Sequence, residues 1–119
     1  MNAPPVKVDV EDLEGGVRLA VVAGRLDSAT VPTIEAALLA PIQRGTGVVY
    51  DLADLGYISA SGVRLIVAAV RRAEAMQGRV AFARVPAEVA ETLSVSGFAM
   101  FLSLFESRDE AVAHVRGGA

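Results

Sequence analysis

Residues 48–63 read VVYDLADLGYISASGV. Val48 to Leu52 form a short apolar run of the kind that lies buried on both faces of a sheet. A helical period follows: from Ser61 to about Gln77, Val63, Ile66, Val67, Val70 and Ala73 share one face, while Arg64, Arg71, Arg72 and Glu74 fall mostly on others. Gly78 closes that helix. The stretch therefore reads as a buried strand, a loop, and a helix that opens behind two hydroxyls, Ser59 and Ser61, set around Ala60.

Working toward the N-terminus, Pro32 in a first turn and Ile34, Leu38 and Ile42 on one face predict a preceding helix with Thr30 as N-cap, ended by Gly45 and Gly47. Before it, Val6–Val10 alternates apolar with polar, and Val17–Ala23 is more apolar. Glu14-Gly15-Gly16 between them makes the pair a hairpin. Toward the C-terminus, Arg79–Ala83 reads as a strand, and Pro86 opens a short helix carrying Val89 and Leu93 that Gly97 stops. Phe98–Leu104 reads as a last strand. Ser107-x-x-Glu110 has the form of a capping box and starts a terminal helix with Ala111, Val112 and Val115 inward. Strands alternating with helices require parallel crossovers, and the hairpin adds an antiparallel pair. The expected fold is α/β, a mixed β-sheet with helices packed on it, in a single domain over residues 1–119.

Composition narrows the function. At 53% hydrophobic the chain is rich in core residues, yet charges interrupt every apolar run well short of the roughly 18 residues of a membrane span. The opening MNAPPVK has no apolar segment after it, so it does not read as a secretory signal, and a cytoplasmic location is expected. With no cysteine there is no disulfide, thiol nucleophile or thiolate metal site. The net charge is −3 and the arginines are dispersed, which argues against nucleic acid as a partner. The one histidine, His114, falls late in the last helix, where a solvent-facing or helix-end role is expected rather than catalysis or metal binding. No P-loop lysine, GxGxxG or Ser/His/Asp set can be assembled, so neither an enzyme nor a cofactor is expected.

Ligand sites in such sheets lie beyond the carboxyl ends of the strands. That rule selects two segments, Gly24-Arg25-Leu26-Asp27 and Ser59-Ala60-Ser61-Gly62. A helix start carries unpaired N–H groups and a partial positive charge. Ser59 and Ser61 therefore admit two readings: a helix cap and a turn hydrogen bond beside a Gly62 that allows close backbone approach, or a hydroxyl site shown to a partner enzyme. Asp27 is either a helix cap ahead of Thr30 or part of the same site. Asp51 and Asp54 lack metal-type spacing and read as solvated or turn-forming. The run Phe98-Ala99-Met100-Phe101-Leu102 reads mostly as core, with one side free to join a partner or dimer contact.

The ordered set of G-R-L-D, V-V-Y-D-L-A-D-L-G-Y-I-S-A-S-G-V-R-L, S-G-F and the final E-A-V helix resembles the STAS domain family, the sulfate-transporter and anti-sigma-antagonist domains. The resemblance implies a non-enzymatic protein; a monomer or weak dimer is expected. Such a protein binds an anti-sigma factor, often a serine kinase of the histidine-kinase-like ATPase fold, and so frees a sigma factor. In the best-known members the helix opens Asp-Ser-Ser-Gly or Asp-Ser-Thr-Gly, and the first hydroxyl is phosphorylated. Aligned on Gly62, the aspartate falls on Ser59, the phosphoacceptor on Ala60 and the second hydroxyl on Ser61. The usual switch position is thus an alanine, which leaves binding without switching, or phosphate on Ser61 or Ser59 instead. The resemblance also places an acid at Asp27 near this loop. The alternative it carries is an accessory subunit of an ABC-type phospholipid transporter, bound to that transporter's ATPase subunit.

Overall fold

The computed structural model describes residues 4–116. The first three residues of MNAPPVK and the last three of the expected domain lie outside the described residues. Along the chain run β1 (Val6–Leu13), β2 (Val17–Leu26), α1 (Val31–Leu39), β3 (Gly47–Ile58), α2 (Ala60–Ala75), β4 (Arg79–Ala83), α3 (Ala87–Val95), a one-turn helix (Ala99–Phe101), β5 (Leu104–Phe105) and α4 (Arg108–Arg116). The strands make one sheet in the order β1-β2-β3-β4-β5. β1 and β2 are the expected antiparallel hairpin, and every later pairing is parallel, so the sheet is mixed.

Side-chain alternation along the central strand assigns the helices to faces. Val48, Tyr50 and Leu52 point into a large core with Ile34 and Leu38 of α1, Val63, Ile66 and Ala69 of α2, and Val89 and Leu93 of α3. Val49, with Val17, Leu19, Ala81 and Ala83, points the other way, onto Ala111 and Val115 of α4. β3 is therefore covered on both sides in its first half, as its apolar run requires. The buried Tyr50 phenol donates to the Leu38 carbonyl and its ring stacks on Phe82 at 5.6 Å, which ties α1 to the sheet. Burial pushes the phenol pKa up, so it remains a donor.

The structure departs from the sequence reading in four places. First, both long strands run on. β3 continues through Ala53–Ile58, and β2 through Gly24–Leu26, because the two go on pairing after Asp51 across two register shifts, ending at Arg25↔Tyr57 and Leu26↔Ile58. Gly24 makes this feasible: its φ is +107°, and a Cβ there would lie 2.2 Å from the Pro5 carbonyl oxygen. The expected loop between β3 and α2 shrinks to the single residue Ser59. Second, Phe98–Leu104 is not a strand. After Gly97, with φ +84°, the chain makes a one-turn helix, and only Leu104 and Phe105 pair with β4. An unbroken apolar run carries no period by which to tell the two apart.

Third, Asp51 is neither solvated nor merely turn-forming. It is fully buried on the α4 side, where Arg84 grips it through Nε at 3.2 Å and Nη2 at 2.6 Å, Arg108 Nε donates to it, and the Ala53 N–H donates at 3.0 Å. Asp54, by contrast, is exposed as read. Fourth, Thr30 stands at the N-cap of α1 as expected, but its hydroxyl makes no capping bond to that helix. Half of the Ser107 capping box is present: the Glu110 N–H donates to Ser107 Oγ at 3.1 Å, and the Glu110 carboxylate accepts from the Ser107 hydroxyl at 3.1 Å. His114 is exposed, its ring 5.1 Å from that of Phe105.

Candidate functional site

The carboxyl ends of β2 and β3 lie side by side, and the Ser59 N–H fastens them by donating to the Leu26 carbonyl at 2.8 Å. This bond brings the two segments chosen from the sequence, 24–27 and 59–62, into one corner.

On the β2 side, Asp27 and Thr30 cap each other. The Thr30 N–H donates to Asp27 Oδ1 at 2.9 Å, and the Asp27 N–H donates to Thr30 Oγ1 at 2.9 Å. The Ala29 N–H also donates to Oδ1 at 3.0 Å, and Thr30 Oγ1 gives its proton to the Arg25 carbonyl. Asp27 is therefore the capping acid of this turn, just ahead of Thr30. The Thr30 N–H bond is the main cause of a pKa below the usual carboxylate value; partial burial opposes it, and Ala29, the Thr30 hydroxyl and Arg25 reinforce it.

On the β3 side, α2 starts without a side-chain cap and without an acid in its first turn. Ser59 is extended at the N-cap position, and its carbonyl accepts the first helical bond, from the Val63 N–H at 2.9 Å. Its Oγ faces inward, buried and without a partner among the described residues. Ala60, Ser61 and Gly62 thus hold N–H groups that intrahelical bonding leaves without a partner. Ala60 is exposed, Ser61 half-buried and Gly62 buried. The Ser61 hydroxyl accepts from Arg64 Nη2 at 3.2 Å.

Gly62 sets how close all this lies to the sheet. A Cβ built on it would stand 2.6 Å from Ile58 Cγ1 and 2.8 Å from the Leu26 carbonyl oxygen. Its absence lets the first turn of α2 rest directly on the ends of both strands.

One member of this corner, Tyr57, was not singled out from the sequence, and Arg25 was chosen only as part of the 24–27 segment. Arg25 lies over the ring of Tyr57 at 4.4 Å and pairs with Asp27 at 3.5 Å. Tyr57 is 43% exposed. Their partnership depends on the register of strand ends that read as loops, so spacing along the chain gave no signal. Beside them a shallow groove between α1 and α2 is lined by Ser28, Val31, Glu35, Ser61 and Arg64. Among the described residues no group of three or more His, Cys, Asp or Glu is placed to hold a metal. Nor is any helix there long and apolar enough to cross a membrane.

Fold and corner together define a class: a small mixed α/β domain whose strand ends and uncapped helix start meet in one polar corner. The chain belongs to the STAS domain family, whose model matches residues 11–111. A curated relative from Bordetella bronchiseptica, named as the anti-sigma factor antagonist BtrV, is 29% identical over 109 residues, 91% of this chain and 93% of the relative. Among solved structures, unphosphorylated SpoIIAA of Bacillus, an anti-sigma factor antagonist, superposes with a TM-score of 0.74 at 24% identity, covering 93% of this chain and 97% of that one. An anti-sigma factor antagonist from Mycobacterium paratuberculosis superposes at 0.77 and 23% identity, covering 98% and 99%. The shared fold is the five-stranded mixed sheet with its four α-helices.

Proposed function

We propose that this chain is a cytoplasmic anti-sigma factor antagonist that binds a kinase-type anti-sigma factor through the Asp27 and Ser59–Gly62 corner and is not switched off there. The observation that carries the reading is Ala60: the first, exposed residue of an uncapped helix, at the position where the family's switched members hold the phosphoacceptor. The relative BtrV and the neighbour SpoIIAA bear the antagonist name, and SpoIIAA has been solved both unphosphorylated and phosphorylated.

The geometry supports an account of what a phosphate at residue 60 does and why this chain escapes it. A phosphate there faces the open N–H groups of α2, which stabilise it, so the modification leaves the helix formed. Its effect falls on the partner: about −1.5 to −2 charges enter a contact face. The Ala60 methyl cannot accept phosphate. Ser59 is a poor substitute, because its Oγ is buried. Ser61 is half-buried and its hydroxyl is held by Arg64, one position away from where a kinase needs an in-line acceptor. The face is accordingly fixed in its binding form, with Asp27 holding the first loop in shape and Arg25 and Tyr57 as residue types suited to anchoring a partner.

The test is displacement. Added to a purified complex of sigma factor and kinase-type anti-sigma factor, the chain is expected to release sigma, and to go on doing so after prolonged incubation with ATP. No release with an anti-sigma factor shown to bind its sigma, or binding only to an ABC-type ATPase subunit, refutes the reading.

A further inference from the structure

Far from that corner the molecule carries an apolar face that the fold does not cover. Val95 at the end of α3 is 82% exposed, and Met100 and Phe101 in the one-turn helix are 83% and 68% exposed. Single exposed apolar residues are ordinary, but three large ones within seven positions are not. Next to them, between α2 and the one-turn helix, runs a groove of ≈ 220 Å³ walled by Val67, Val70, Phe98, Phe101 and Leu102. Arg71 and Glu74 stand on its rim, both exposed, and neither side chain has a hydrogen bond or ion pair among the described residues.

We infer that this face joins two copies of the chain about a two-fold axis. A two-fold contact needs a surface that is its own complement. Here Met100 projects beside a hollow with apolar walls, Phe101 among them, so each copy supplies both the knob and the socket. The charges obey the same requirement. Arg71 and Glu74 are neighbours on one helix face, three residues apart, yet do not pair with each other. A two-fold axis between them sets Arg71 of one copy against Glu74 of the other, twice, while a different partner has to bring both matching charges itself.

The area fits a modest self-association. The three exposed side chains offer roughly 400 Å² of apolar surface, about half of the ~800 Å² per partner of a standard interface, and the groove walls add to it. Ala60 and Glu74 lie fourteen residues apart on α2. At 1.5 Å per residue that is about 20 Å, so pairing leaves the Ala60 face of both copies open.

Sedimentation equilibrium of the full chain from micromolar to millimolar concentration tests this. A reversible dimer is expected. Met100→Asp is expected to raise its dissociation constant by about tenfold or more with an unchanged circular dichroism spectrum. Arg71→Glu and Glu74→Arg are each expected to weaken the dimer, and the combined exchange R71E/E74R to restore it, since reciprocal pairs form again with signs reversed. If Met100→Asp does not fold, the exposed rim substitutions decide. A monomer at every concentration, or a dimer indifferent to both Met100→Asp and the rim reversals, overturns the inference.

Discussion

Replacing Gly62 by alanine is expected to lower the stability of this domain by about 2 kcal/mol, within the roughly 1–3 kcal/mol that an extra methyl costs in a well-packed interior. Intrinsic preference argues the other way: alanine inside a helix is worth roughly 0.5–1 kcal/mol over glycine. Magnitude decides in favour of sterics here. The new Cβ meets Ile58 Cγ1 at 2.6 Å and the Leu26 carbonyl oxygen at 2.8 Å, and the second of these is backbone that cannot rotate away. To relieve the clash α2 has to lift off the strand ends, and that strains the bond from the Ser59 N–H to Leu26. Thermal unfolding is expected to show a midpoint about 10 °C lower than wild type for a domain of this size. The exposed neighbour change Ala60→Ser is expected to move it little. A Gly62→Ala midpoint at or above wild type contradicts the close seating of α2 on which the whole face depends.

Asp51→Ala is expected to be comparably damaging, by about 2–3 kcal/mol, somewhat below the usual 3–5 for breaking a buried ion pair. The discount has a reason: the partners Arg84 and Arg108 are 45% and 42% exposed and rehydrate once released. What is lost is the charged anchor between the end of β3's buried half and the start of α4. Acid removes the same anchor from wild type. Burial alone raises the Asp51 pKa, but the Arg84 hydrogen bonds, the Ala53 N–H and Arg108 outweigh it, and the value lies below the ordinary 3.8. A depressed carboxylate contributes stability that is complete above its unfolded-state pKa and is lost as pH falls through the folded-state pKa. Denaturant unfolding is therefore expected to separate wild type from Asp51→Ala clearly near neutral pH and to bring them together in strong acid. A constant gap down to about pH 2 contradicts this assignment.

Much of this structure is written locally. Val48–Leu52 sits buried on both faces as its composition demands, the 61–77 period marks α2 to within two residues of its ends, and Ser107 caps the Glu110 N–H. The parts that were not legible depend on pairing between distant segments. Asp54 and Gly56 make 53–58 look like loop, and only the shifted register against β2 turns it into strand. Asp51 reads as an end-of-strand acid because its two arginines arrive 33 and 57 residues later. The same limit applies to the corner itself: Asp27 and Ser59–Gly62 were found through chain position and resemblance, whereas Arg25 and Tyr57 needed the strand ends to be laid side by side. Phe98–Leu104 failed for another reason, since an all-apolar segment has no pattern from which to choose a face.

The central claim, a contact face that binds and is not switched at residue 60, is tested most directly by intact-mass analysis of wild type and Ala60→Ser. Each is incubated with ATP and a purified kinase-type anti-sigma factor that binds the chain and is shown to phosphorylate a switched antagonist. The expected result is unmodified wild type that stays bound, beside an Ala60→Ser variant that takes up one phosphate and dissociates. Phosphate on Ser59 or Ser61 of wild type, or an Ala60→Ser variant that remains unmodified, contradicts the account.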